Sequence, residues 1–447
     1  MSSPIRVRFA PSPTGKVHIG NIRAAIFNWL YARHNGGTFL LRVEDTDLER
    51  STPEAIQTLL ECMEWLGLDY DEPVLYQTSQ TKHHIEMAED LVRRGLAYRE
   101  NKVDKDGNAK GECIIFRMPK EGVIEYDDLV KGHMAKKAED TQDFVIVRSD
   151  GSPVFHLANV LDDITQGVTH IIRGDDHVEN TFKHIQLFKA FGAEIPKYAH
   201  LSMVVNAQGK PYSKRDGAAF VGEFREQGYL PETLFNFLAL LGWSPGDDLE
   251  VMTREQMIDL FDLSRVKPNP AQFDLKKLLW MNGEKIRLQP KGAYRERFLA
   301  ETRAAGYDPD KADAAWLDAL IDQIQPRTKL YADIAPMTVY FFRDDYPFDE
   351  KAVSKRLAKP GVGAILEQIA ALFEAQPADA FTAAALEPVM RAWCEAQGED
   401  FGFGKVVHPV RVAVTGRAEG PGFFEVLELL GKDRVLARLR ANLPKCG

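Results

Sequence analysis

Short stretches spread along this chain carry side chains suited to holding anions. The first, Arg8 to Arg23, reads RFAPSPTGKVHIGNIR. Ahead of its turn, Ile5, Val7 and Phe9 alternate with Arg6 and Arg8, the period of a strand with one buried face. After it, Ile22, Ile26, Trp29, Leu30 and Arg33 keep helical spacing, with mostly apolar side chains on one stripe. Pro11, Pro13, Gly15 and Gly20 bend the chain between them and let its backbone approach a ligand. A strand, a glycine turn and a helix N-terminus offer free amides and the positive end of a helix dipole, which favour an anion. His18 could donate to phosphate oxygens there, and Gly20 would leave room for a flat base or a ribose. An isolated HxG is more often a structural turn with a surface histidine.

Two further stretches end at what reads as a ligand edge. TFLLRV, 38–43, is a short apolar parallel strand followed by Glu44, Asp45, Thr46 and Asp47. Open α/β sheets bind ligands beyond the C-terminal ends of their strands. The same residues serve equally as a helix-entry turn, with Ser51 or Thr52 capping a helix that starts at Pro53. THIIR, 169–173, is a second strand, running into Gly174, Asp175, Asp176 and His177. An arginine at that point is a clamp for carboxylate or phosphate, or one half of a surface salt bridge. Paired with Arg8, Arg173 would suit a substrate with two carboxylates. Last comes GKPYSKRDGA from Gly209, two lysines and an arginine in a glycine-bounded loop after the strand-like LSMVV.

Several elements must position these residues. With 447 residues the chain exceeds one ordinary core, so two to four units are expected. The spacing predicts helices from Pro53 and over Ser79–Arg94, then a polar hairpin-like excursion across Asn101–Gly111. CIIFRM and DFVIVR suggest a small mixed sheet, after which the chain returns to the main sheet at Phe155–Asp163. Pro231 starts a helix that Gly242 ends, and beyond 310 helical patterns dominate, as at Val362–Phe373 and Thr382–Ala396. Hydrophobic content of 45% and charged content of 27% are ordinary for a globular protein. No membrane span or signal-peptide core is evident, so a cytoplasmic location is expected. Cys62, Cys113, Cys394 and Cys446 lack paired spacing, which suggests reduced thiols and no structural metal. A net charge of −10 argues only weakly against a nucleic-acid partner, because basic residues gather locally. They include Arg265, Lys267, Lys276 and Lys277, and later Lys432, Arg434, Arg438 and Arg440, each cluster by itself more simply a solvated face.

RFAPSPTG with VHIG, VEDTD at Val43, RGDDH at Arg173 and YSKRDGA at Tyr212 together resemble the signature blocks of bacterial glutamyl-tRNA synthetases, which are class I aminoacyl-tRNA synthetases. The blocks fall in that family's order, covering 1 to about 290 strongly and the remainder weakly, with HPVRVAVTGRAEGPG at His408 the clearest late block. The resemblance implies an α/β fold: a Rossmann-like catalytic domain with an inserted α+β acceptor-binding domain, then an all-helical anticodon-binding region. The boundaries expected are 1–95 and 156–230 for the two catalytic halves, the second with the YSKR loop. The insert takes 96–155, a stem-contact helical domain 231–308, and an anticodon-binding region of two subdomains 309–447.

The implied chemistry is activation of L-glutamate by ATP with Mg²⁺ and transfer to the 3′ end of tRNA(Glu), with tRNA(Gln) left open as a second acceptor. By resemblance His18 and Lys214 carry the transition-state contacts. His18, Gly20, Asn21, Ser213, Lys214 and Arg215 bind ATP. Arg8, Ser12, Glu44, Phe155, Asn159 and Arg173 surround the glutamate, with Glu44 near its α-amino group. A monomer without structural zinc is expected, since the paired cysteines of the family's zinc module are absent between Tyr98 and Phe116. Phe155 stands where the family usually has tyrosine, which removes one hydroxyl. Pro211–Tyr212 stands where the loop commonly reads lysine–leucine, which removes one cation. The two arginines and the helical C-terminal part argue against a glutaminyl enzyme, and that part also against a truncated queuosine-loading relative and a small-metabolite nucleotidyltransferase. Intact His18, Lys214, Glu44, Arg8 and Arg173 argue against a tRNA binder without catalysis.

Overall fold

Arg6–Phe9 and Thr38–Val43 pair in parallel, from Arg6 opposite Thr38 to Phe9 opposite Leu41, and Leu75–Tyr76 extends the sheet beyond Arg42. His170–Gly174 and Lys197–Leu201 pair in parallel over five residues, Lys197 opposite His170 through Leu201 opposite Gly174. Thr169 N donates to Arg6 O at 2.9 Å, which lays the first strand beside the His170 strand. The chain thus winds outward in one direction from Arg6–Phe9 and later in the other from His170–Gly174. Crevices form at such a switch point, beyond the strands' C-terminal ends. The structure is a computed structural model that describes residues 4–446 apart from 14, 48–49, 104–108 and 399–400. It divides into two units, 1–281 and 282–447.

The helix Ile19–His34 lies against both parallel pairs and against the helices Pro231–Leu240 and Arg254–Leu260. Sequence spacing predicts one apolar stripe. Instead Ile19, Ile22, Ala25, Ile26, Phe27, Trp29 and Leu30 are all buried, because neighbours cover the helix on several sides. Burial of each large side chain contributes roughly 1.5–3 kcal/mol, so this helix is a rigid base for the turn before it. Thr52, one of the two expected caps, accepts from Ala55 N at 3.2 Å and starts the helix Pro53–Trp65.

Two local expectations are corrected. Phe155–Thr165 is a helix rather than a return into the sheet. Leu157, Ala158, Asn159, Val160, Leu161, Asp162 and Asp163 are all buried on it, so no polar stripe marks the helical period. CIIFRM and DFVIVR pair antiparallel, with Ala97–Val103 completing three strands, rather than forming a mixed sheet. The hairpin Val123–Asp128 with Gly132–Lys137 lies between them in sequence and joins the other sheet, where Asp128 pairs in parallel with Tyr198. The tip of the expected excursion, 104–108, lies outside the described residues.

The second unit is helical, with no strand among its described residues. Val362–Glu374 and Ala383–Ala396 fall close to the helices expected from spacing. The late basic cluster is largely structural. Arg438 is buried and donates to the carbonyls of Val414, Tyr340 and Arg343, while Lys432 donates to those of Glu374 and Gln376. Arg434 and Arg440 pair with Asp344 and Glu374.

Candidate active site

A cleft of about 480 Å³ opens at the switch point. Arg8, Ser12, Gly20, Asn21, Glu44, Phe155, Asn159 and Arg173 line it, so eight expected site residues from four separate stretches converge. Asp176, His177 and Asn180 line it as well. Sequence reading gave these three no role, although Asp176 and His177 stand in the RGDDH block and Asn180 follows on the same short stretch.

Below the cleft lies a buried ionic network that sequence reading also missed. Asp163 Oδ1 accepts from Arg8 Nε at 3.0 Å and from Arg42 Nη1 at 2.7 Å. Glu44 Oε1 accepts from Asn159 Nδ2 at 2.7 Å and from Arg42 Nη2 at 3.4 Å. Burial pushes the Asp163 carboxyl up, but Arg42 and Arg8 outweigh it and hold the group below its usual range. Burial dominates at Glu44 and raises it despite Arg42, Asn159 and Arg8. Ion pairs this deep stabilise little in themselves, yet removing one partner strands the other. Their consequence here is geometric. Arg8, Glu44 and Asn159 are fixed before any ligand arrives.

Arg173 sits differently. It is 7% exposed, and Nε donates to His200 Nε2 at 3.2 Å while Nη2 donates to Thr181 Oγ1 at 2.7 Å and His177 O at 3.3 Å. No carboxylate among the described residues lies within ion-pair distance of it. Burial lowers its pKa to about 10, so it stays a cation at neutral pH. A nearly buried cation with neutral partners at a cleft wall is poised for a ligand carboxylate or phosphate.

His18 caps the helix Ile19–His34, its Nδ1 accepting from Gly20 N at 3.1 Å. Proton placement follows: Nδ1 is the acceptor, and Nε2 carries the hydrogen in the neutral ring. Burial lowers the His18 pKa, and a backbone hydrogen bond at Tyr212 opposes this only in part. A Cβ on Gly20 would sit 3.3 Å from His18 Nδ1, so the bare backbone there also serves the cap.

Ser213, Lys214 and Arg215 do not line the cleft, and Lys214 and Arg215 are exposed. Their loop is nonetheless tied to the first block. Ile19 N donates to Ala219 O and Val221 N to Val17 O, both at 3.0 Å, and the rings of His18 and Phe220 meet edge-on. Asp216 accepts from Ser213 N at 2.9 Å, Ser213 Oγ at 3.0 Å and Asn206 Nδ2 at 2.8 Å, which folds the loop on itself. Tyr212 is buried against Phe273, its hydroxyl donating to Ala218 O at 3.2 Å, so this departure fills an apolar seat. Pro211 is exposed and bridges Val205.

Residues 4–106 and 99–280 match the family described as tRNA synthetases class I (E and Q), catalytic domain, and 293–443 match an anticodon binding domain. Glutamate–tRNA ligase 1 of Caldanaerobacter subterraneus subsp. tengcongensis is 37% identical, with 98% of this chain and 97% of the relative covered. Glutamate–tRNA ligase 1 of Alkalilimnicola ehrlichii is 39% identical over 98% of both chains. The chain belongs to the glutamate–tRNA ligase family. Among solved structures, a glutamate tRNA ligase from Elizabethkingia meningosepticum, in complex with its amino acid, superposes with a TM-score of 0.85 at 28% identity over 99% of both chains. Membership in this family makes the chain an ATP-using class I synthetase with a mixed α/β catalytic part and a helical anticodon-binding part. Among the described residues no helix is long and apolar enough to cross a membrane.

Proposed function

We propose that the chain is a glutamate–tRNA ligase whose amino-acid site is the cleft between Arg8 and Arg173. One observation carries this reading of the site. Two arginines, each nearly buried, line a single cleft at the sheet's switch point, and Arg173 has only neutral partners there. A substrate with two carboxylates supplies the missing anion. Glu44, held by Asn159 and Arg42, is assigned to the α-ammonium group, while Ser12 and Phe155 line the cleft.

In the first step the glutamate α-carboxylate attacks the α-phosphorus of ATP, forming the acyl phosphate and releasing pyrophosphate. In the second, a hydroxyl of the terminal tRNA ribose attacks the acyl carbon and AMP leaves. Neither step requires a protein nucleophile, so positioning and charge stabilisation account for the rate. His18, Gly20 and Asn21 are assigned to the nucleotide at the helix start. Ser213, Lys214 and Arg215 close over the phosphates, with Lys214 meeting charge on the departing pyrophosphate. MgATP is the substrate form. The ion is assigned to the triphosphate. Residues 96–155 and 231–308 are assigned to the acceptor end and stem of the tRNA, and 309–447 to the anticodon.

The test is acid-precipitable labelled glutamate on purified tRNA(Glu), with tRNA(Gln) in parallel. Charging of tRNA(Glu) supports the reading, and the second acceptor decides whether tRNA(Gln) is also a substrate. No charging of either overturns it.

A further inference from the structure

Arg173 owes its orientation to groups behind the cleft. Its Nε donates to His200 Nε2 at 3.2 Å, so that ring nitrogen must hold a lone pair. The ring hydrogen then lies on Nδ1, 2.6 Å from Asp128 Oδ2, with Asp128 and His200 both buried. The other oxygen, Oδ1, accepts backbone N–H groups of Val130 at 2.9 Å, Lys131 at 2.8 Å and His200 at 3.2 Å. The two Asp128 oxygens therefore act separately. Oδ1 holds the turn of the Val123–Lys137 hairpin, and Oδ2 sets the His200 tautomer. That turn is also tied to the loop after Arg173, since Lys131 Nζ reaches Asp175 Oδ2 at 2.8 Å.

We propose that Asp128 is a positioning residue for the amino-acid site, fixing His200 in the Nδ1–H tautomer so that its Nε2 orients Arg173 toward the substrate carboxylate. The inference rests on the reading of Arg173 as a glutamate contact, and it deepens that reading. Nothing in it makes Asp128 or His200 touch substrate. A carboxylate at 128 is required because it accepts on both oxygens. An amide there keeps Oδ1 on the three backbone donors and turns its NH₂ toward His200 Nδ1. The ring must then take its hydrogen on Nε2, opposite Arg173 Nε–H, and two donors face each other.

The experiment measures the KM for glutamate, the KM for ATP and kcat in glutamate-dependent ATP–pyrophosphate exchange, on full-length protein with total tRNA. Wild-type exchange tests the functional reading by itself, and the variants test only the link. D128N is expected to raise the glutamate KM about tenfold, the loss of one hydrogen bond to a charged group, with the ATP KM little changed and the melting temperature lowered by several degrees. H200N keeps a polar group near the Nδ1 position but offers nothing at Nε2, and is expected to do the same. It stands in for D128N if that variant misfolds. H200Q places an amide that can present its oxygen to Arg173 whatever stands at 128, so the glutamate KM should stay near wild type. Adding D128N to H200Q should then raise it no further. A wild-type glutamate KM in both D128N and H200N overturns the proposal. So does a full D128N effect in the H200Q background, which would mark Asp128 as merely structural.

Discussion

At Arg173 and Lys214 the same charge is used in opposite ways. Arg173 is a buried cation held by neutral partners, whereas Lys214 is exposed on its loop, where the proposed role has it meet the phosphates. Lys214→Ala should therefore leave glutamate binding intact and lower kcat by about 10²–10³, the usual scale for losing one donor to developing charge. Steady-state exchange measures this, and a loss confined to the glutamate KM would contradict the assigned role. Phe155 packs its ring 5.5 Å from those of His156 and His177 and lines the cleft. Phe155→Tyr should restore a hydroxyl there and lower the glutamate KM roughly two- to tenfold, corresponding to about 0.5–1.5 kcal/mol. An unchanged or higher KM would show that this chain's cleft no longer places a polar group at that wall. Eight proposed site residues meet in the cleft, and Arg8, Ser12, Gly20, Asn21, Glu44 and Arg173 were legible because each lies in a short block at a strand end or helix start. Their partners were not. Arg42 and Asp163, or Arg173 and His200, meet only after folding, and no local spacing reports such a pair.

Among the elements, the loop from Lys210 to Ala218 is anchored at both ends, by buried Tyr212 and by the backbone pairing of Ala219 and Val221 with the His18 segment. Gly217 between them adopts φ +140°, and a Cβ there would lie 2.8 Å from Leu275 Cδ1 and 3.1 Å from the Tyr212 hydroxyl. Gly217→Ala should displace the loop and reduce kcat at least tenfold, with the glutamate KM nearly constant, since the loop does not line the cleft. The helices Phe155–Thr165 and Val178–Phe191 meet through His156 and His184, 3.2 Å apart, with His177 beside them. Burial lowers His156 and His177 to about 4 and His184 well below its usual value. An unfolded chain takes up these protons near pH 6.5, so between about pH 6.5 and 4 it binds more protons than the native state and stability falls as pH falls. Glu44, raised by burial, opposes this as a single group. The melting temperature should decline steadily from pH 7 to 4.5, and a flat profile would contradict neutral buried histidines. The first of these two helices was illegible because burial on most faces erased its period, whereas Val362–Glu374 kept a polar side and was read correctly.

For the whole molecule, a net charge of −10 coexists with membership in a tRNA-charging family, so the charge sum is a poor guide to the partner. Basic residues near the C-terminus looked like one cluster in sequence, yet Arg438 and Lys432 spend their donors on the chain's own carbonyls. Composition could not separate those from cations free to meet phosphate, because the difference lies in where helix ends fall in space. The proposed function turns on the two arginines of the cleft and the dicarboxylate assigned to them. The most direct test of that selection is ATP–pyrophosphate exchange on the purified, folded protein, with glutamate and glutamine in parallel and with or without total bacterial tRNA. Exchange should require glutamate and be absent with glutamine. No exchange with glutamate under either tRNA condition, or equal exchange with glutamine, would contradict a dicarboxylate site.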